Sequence, residues 1–191
     1  MSERSEIRRH PERSVPDEAP AILAEGLVAH VGFCHHGQPF VIPFSYHYDR
    51  SDPDKVYLHG SVASRALQFL GDGGPVCISV TLLDGLVYSR SAKYHSMNYR
   101  SAVVFGSARV VSEEEKKAVI FDKMVDRYFA GRTAGRDYEA APSAHLNNTL
   151  VVEVVIDEAS AKARTGGPAG PTDAIDGAPG TCGIVDLRNL G

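Results

Sequence analysis

The apolar runs of this chain come in pairs joined by tight turns, and few of them are separated by helix-length stretches. LVAHVGFC (27–34) and PFVIPFSYHY (39–48) flank HHGQ and are rich in β-branched and aromatic residues, which reads as a β-hairpin. KVYLH (55–59) is a third strand. PVCISVTLLDG and LVYSRSA read as two further strands around the hairpin signal Asp84-Gly85. RSAVVFGSARVV and TLVVEVVID complete a set of about six or seven strands. Parallel sheets need a long crossover, usually a helix, between successive strands. This chain lacks that alternation. The expected fold class is therefore mainly β (α+β), a small antiparallel barrel with peripheral helices. Pro43 removes one ladder donor and marks an edge, a bulge or a ligand-facing site.

Helices fill the gaps. Pro16-Asp17-Glu18 opens one that runs through APAILAEG and stops near Gly26. Ser112 is the expected N-cap of another, with Glu115 at the capping-box position and an apolar stripe through Val119, Ile120, Phe121, Met124 and Tyr128. The chain of 191 residues suits one domain. Residues 1–15 read as a flexible arm, 16–165 as the folded domain, and the Gly- and Pro-rich 166–191 as a flap or a tail.

Composition excludes several functions. The formal net charge is −4 with both signs dispersed, which offers no basic face to nucleic acid and no polybasic segment to a membrane. The N-terminal twenty residues have no apolar core of a signal peptide, so a cytoplasmic setting is expected. Cys34, Cys77 and Cys182 are widely spaced, which suits neither a disulfide frame nor a zinc site. FCHHG places Cys34, His35 and His36 side by side in a turn, where they rarely converge on one ion, so no metal site is expected. Neither a GxSxG elbow, a Walker A loop nor a GxGxxG fingerprint occurs.

Two stretches carry chemistry. In YLHGSVASRALQFLGDGG, with Ser61 as N-cap, Ala63, Ala66, Leu67 and Leu70 form one stripe. Ser61, Ser64, Arg65 and Gln68 occupy the other side. Free backbone donors, two hydroxyls and a guanidinium in one turn suit a phosphate. The competing reading is a capped surface helix whose Arg65 pairs with Asp72 or Asp84. The second stretch, YSRSAKYHSMNYRSAVVFG, is dense in polar side chains directly before an apolar strand. Its alternative is a solvated hairpin loop.

Together with VIPFSY before them and ASAKAR after them, these motifs resemble the pyridoxamine 5'-phosphate oxidase-like FMN-binding split-barrel family, in its nitroimidazole-reductase-like branch. The resemblance covers roughly residues 10 to 165. It implies a split-barrel homodimer with one FMN per subunit at the subunit interface. It implies a phosphate site at His59, Ser61, Ser64 and Arg65. Val41, Ile42, Pro43 and Phe44 would run beside the flavin, and Asn98, Tyr99, Arg100 and Ser101 would complete the site. Members of that branch carry a tryptophan near the position of Cys182-Gly183, and this chain has none.

The resulting expectation is an FMN-dependent oxidoreductase acting on a small organic substrate, with a reduced nicotinamide as a possible donor. His95 is the candidate catalytic or substrate-contact residue, with a loop carbonyl as its alternative partner. The alternative function is a non-catalytic binding module on the same barrel for flavin, haem or another anionic ligand. A haem would require an axial ligand such as histidine.

Overall fold

The computed structural model describes residues 2–188; residue 1 of the expected arm and residues 189–191 of the C-terminal segment lie outside it. Eight strands form one antiparallel sheet. They are β1 (Ala29–His35), β2 (Gln38–Phe44), β3 (Tyr46–Tyr48), β4 (Lys55–Ser61), β5 (Pro75–Tyr88), β6 (Ser96–Val111), β7 (Thr149–Arg164) and β8 (Gly183–Asp186). Around them stand α1 (Ala19–Glu25), α2 (Arg65–Gly71), α3 (Glu114–Tyr128) and α4 (Ser143–Asn147). The hydrogen-bonded path runs β2-β1-β5-β6-β7-β4-β3, with β8 added to β5.

Its two ends, β2 and β3, are joined by Ser45 alone, yet no ladder bonds them. That one-residue link bends the sheet back toward itself without closing it. The barrel is split at that seam. This is the α+β architecture expected from the strand pattern, with the single run 39–48 divided at Ser45. Pro43 lies on the edge strand β2, where its missing N–H breaks no second ladder.

Alternation places the core. Val31, Val56, Leu58, Ile78, Val80, Val104, Val152 and Val154 point inward and are buried with Tyr46, Leu67 and Leu70. Each such aliphatic side chain contributes about 1.5–3 kcal/mol on burial. A smaller cluster lies on the opposite face, where Tyr57, Val111 and Val151 meet Ile120 and Met124 of α3. Arg127 fixes α3 to α1 by donating to the carbonyls of Leu23 and Gly26 and lying over the Tyr46 ring. The Tyr128 hydroxyl accepts from the Tyr46 amide at 2.9 Å and lies 2.9 Å from the carbonyls of both Leu27 and Tyr46.

The β1–β2 turn uses His36 and Gly37, both with positive φ (49° and 78°), the conformation a two-residue type I′ hairpin requires. Gly106 marks the β6–β7 register shift, because a Cβ there would collide with the Val155 carbonyl.

Three local expectations need correction. Asp84-Gly85 is no hairpin turn: β5 continues through it with a register shift, because the buried Asp84 carboxylate is held by Arg100 and its carbonyl accepts from the Leu187 amide. The N-cap of α2 is Ser64, whose Oγ accepts from the Leu67 amide at 3.4 Å, while Ser61 Oγ accepts from Ala63 one turn earlier. The N-cap of α3 is Glu113 rather than Ser112, without a side-chain cap bond.

Residues 2–15, read as an arm, lie along β7. Glu158 accepts from Ser2, Arg4 and Ser5, and Lys162 donates to the Arg9 carbonyl. The Gly- and Pro-rich segment folds back over the β5–β6 hairpin. Asp173 accepts from Ser89, Gly170 and the Arg90 amide, and the Arg90 guanidinium donates to three carbonyls of the segment, those of Thr172, Asp173 and Gly180. Among the described residues no helix is long and apolar enough to cross a membrane.

Candidate functional site

The hairpin register sets the first cavity. Phe33 lies directly opposite Phe40 across β1 and β2, and their rings stack with centroids 5.4 Å apart. Two residues along each strand, on the same face, stand His35 and Ile42. The His35 ring lies flat on Phe69 of α2 at 3.4 Å between centroids. Together with Arg65 these side chains line a cavity of about 350 Å³, within the range of small-molecule sites.

Arg65 opens α2 and is exposed. Among the described residues its guanidinium has neither a carboxylate partner nor a hydrogen bond. Asp84, one partner considered for it, is engaged by Arg100. The cavity thus offers aromatic and aliphatic walls with one free planar cation at the rim. That donor set suits a flat ring system carrying a phosphate or carboxylate. The Phe33, His35, Phe40 and Phe69 walls escaped sequence reasoning, although the pairing across HHGQ was the signal that could have found them.

His59 goes elsewhere. Along β4 Leu58 is buried in the barrel, so its neighbour His59 turns to the outer face beneath α3. There it joins Ser45, Phe121, Met124, Val125, Tyr128 and Phe129 around a cavity of about 340 Å³ at the barrel seam. Phe121 meets its ring edge-on at 5.1 Å. Its Nδ1 is buried without a hydrogen-bond partner. Burial pushes its pKa below the ordinary histidine value, with no carboxylate to oppose the shift.

A third cavity, of about 500 Å³, brings Asn98 and Arg100 together with Asp84, Thr165, Asp186 and Arg188. Here the polar groups satisfy one another. Arg100 donates to both oxygens of Glu25 and both of Asp84. These carboxylates raise its pKa further, and the Arg100 guanidinium lowers that of Glu25. Asn98 accepts from Arg164 and donates to the Gly166 carbonyl, and Ser101 donates to the Lys162 carbonyl. Tyr99 is half-buried on the same strand.

Of the β2 residues, Ile42 lines the aromatic cavity, Phe44 packs on the core, and Val41 and Pro43 face outward. His95 is exposed and its Nδ1 lies 3.2 Å from the Ser91 carbonyl, the loop contact considered as its alternative. Within one chain, then, the structure unites Ile42 with Arg65 and Asn98 with Arg100, and sets His59 apart from both. Among the described residues no cluster of His, Cys, Asp and Glu could hold a metal ion.

The fold defines the class, an α+β protein built on a split antiparallel barrel. The chain belongs to the pyridoxamine 5'-phosphate oxidase family, whose model matches residues 16–163. The flavocytochrome Anf3 from Azotobacter vinelandii is 32% identical, with 100% of this chain and 86% of that one covered and a TM-score of 0.85. A FAD and haem binding protein from Mycobacterium smegmatis is 31% identical over 92% of this chain and 84% of its own, with a TM-score of 0.81. A putative 5-nitroimidazole antibiotic resistance protein from Bacteroides thetaiotaomicron shares the fold at 22% identity, over 78% of this chain and 85% of that one, with a TM-score of 0.64. No curated protein matches the chain significantly.

Proposed function

We propose that this protein is a flavin-dependent oxidoreductase. The observation that carries this reading is the unpartnered Arg65 guanidinium at the rim of an aromatic-walled cavity that also contains Ile42. FMN and FAD share the isoalloxazine ring and the first phosphate, and the donor set fits both. Arg65, with Ser61 and Ser64 beside it, would hold the phosphate. Ile42 and the backbone of Val41, Pro43 and Phe44 would run along the flavin. A bound flavin supplies hydride and one-electron chemistry at its ring, and the protein supplies orientation and electrostatics.

In this reading Arg100 acts at a distance from the phosphate. Its ion pairs with Glu25 and Asp84 fix the start of β6, where Asn98, Tyr99 and Ser101 stand. The protein works as a homodimer that closes the flavin site. One surface supports that arrangement: Met97, Leu86 and Val185 stand in register across β6, β5 and β8, and all three are exposed. A contiguous exposed apolar row favours burial against a partner.

The test of turnover is anaerobic. A reduced nicotinamide should bleach the flavin absorption of the purified protein, and a nitroaromatic or oxygen should restore it. Retention of an oxidised flavin with every donor, dithionite excepted, would favour the non-catalytic binding module.

A further inference from the structure

The cavity at the barrel seam remains unused by the flavin reading. It lies on the face of β4 opposite the core, and its walls are Phe121, Met124, Val125 and Phe129 with the hydroxyl-bearing Ser45 and Tyr128 at its margin. Tyr128 already spends its hydroxyl on the seam, between the Leu27 and Tyr46 backbones. The polar groups left over are the exposed Ser45 hydroxyl and the imidazole of His59. Among the described residues neither of its nitrogens has a hydrogen bond; Nδ1 is sealed in protein, and Nε2 is the one with access to the cavity.

An imidazole without hydrogen bonds in an apolar pocket is poorly equipped to move protons, since no partner relays its proton or stabilises its cation. It is well equipped to ligate a metal held by another group. The other ligands must come from the guest, because no further His, Cys, Asp or Glu lines the cavity. A metal that brings its own planar, apolar ligand is a metalloporphyrin. Phe121 packs edge-on against the imidazole at 5.1 Å and backs the ring on one side.

We propose that His59 is the axial ligand of a haem seated in the cavity at the barrel seam. The inference goes beyond the flavin reading and does not depend on it. Two proteins with this fold, similar over nearly the whole chain, are described as a flavocytochrome and as a FAD and haem binding protein. His59 precedes Arg65 by six residues, so their Cα atoms are at most about 20 Å apart. Haem would supply one-electron chemistry beside the flavin site.

The experiment titrates the purified full chain with haemin and records the Soret band, the flavin content and the thermal midpoint of each sample. The wild type should take up haem with a sharp, shifted Soret band. His59→Ala should bind haem about tenfold or more weakly, with an altered band that added imidazole returns to the wild-type position. Its flavin content and melting midpoint should be unchanged, which separates ligand loss from misfolding. Val125→Trp, which fills the cavity and keeps the imidazole, should also lose haem. Failure of the wild type to take up haem, or wild-type affinity and spectrum in His59→Ala, would overturn the proposal. Haem uptake by a protein that binds no flavin would refute the flavin reading alone.

Discussion

Arg65→Ala is expected to weaken flavin binding by about ten- to thirtyfold while the protein stays folded. A hydrogen bond to a charged group is worth about 1.5–3 kcal/mol, and the exposure of Arg65 places its contribution toward the lower part of that range. The loss should fall on affinity rather than stability, because the guanidinium supports no other group among the described residues. Equilibrium titration of the apoprotein with FMN and FAD measures it, with circular dichroism as the folding control. Arg65→Lys should recover only part of the loss, since an ammonium keeps the charge but not the planar fork. Raising the salt concentration should reduce the gap between wild type and Arg65→Ala, because an exposed ionic contact is screened. Equal affinities in the wild type and Arg65→Ala would make Arg65 an ordinary surface cation.

The largest stability effect is expected far from that cavity, at Glu153. Its carboxylate is fully buried between β4 and α3, yet it receives the Tyr57 hydroxyl at 2.9 Å, Lys116 at 2.6 Å and the Arg109 guanidinium. Burial alone would raise its pKa; the two cations and the phenol outweigh that and bring it down to about 2. Removing the cations is the harsher change. Arg109→Leu combined with Lys116→Met leaves the buried carboxylate without its two ion-pair partners and with only the Tyr57 hydroxyl donating to it, and should cost about 3–5 kcal/mol. For a domain of this size that lowers the melting midpoint by roughly 6–20 °C. Glu153→Leu should cost far less, because Arg109 and Lys116 are partly exposed and can turn to water.

The pH dependence gives a second signature. In the wild type the folded pKa of Glu153 is depressed, so its contribution is complete above the unfolded value near 4.5 and is lost as pH falls toward 2. In the double variant the sign reverses. The buried carboxylate then binds its proton more tightly when folded, so acidification should recover stability. Melting curves from neutral pH down to about 2, the folded value of the wild-type carboxylate, would read both directions. A double variant that loses stability on acidification as the wild type does would contradict the buried-charge explanation.

The barrel was legible because strand alternation is a local property. Val56, Leu58 and Gly60 against Tyr57, His59 and Ser61 already divide β4 into two faces. What stayed hidden depended on partners distant in sequence. Asp84-Gly85 has the residues of a turn, but Arg100 holds that aspartate in a continuous strand. Arg100 has the composition of a cofactor contact, but Glu25, 75 residues away, neutralises it. Ser61 and Ser64 are equivalent as caps in sequence, and only the start of α2 at Arg65 decides between them.

The site was legible in part for the same reason. Arg65 stood out as a cation at the start of a helix, and Ile42 through the VIPF motif. The aromatic walls depended on the Phe33-Phe40 register and on the packing of α2 over β1, neither of which a single segment encodes. His59 sits inside the motif that suggested a phosphate site. The alternation that buries Leu58 sends it to the opposite face instead, under a helix that begins 55 residues later at Glu114.

The flavin content of the purified chain is the decisive quantity. Protein expressed without added cofactor should show an absorption spectrum with flavin maxima, and acid or heat should release FMN or FAD, identified by mass, at about one molecule per chain. A colourless protein that also takes up neither FMN nor FAD on reconstitution would contradict the assignment of the Arg65 cavity.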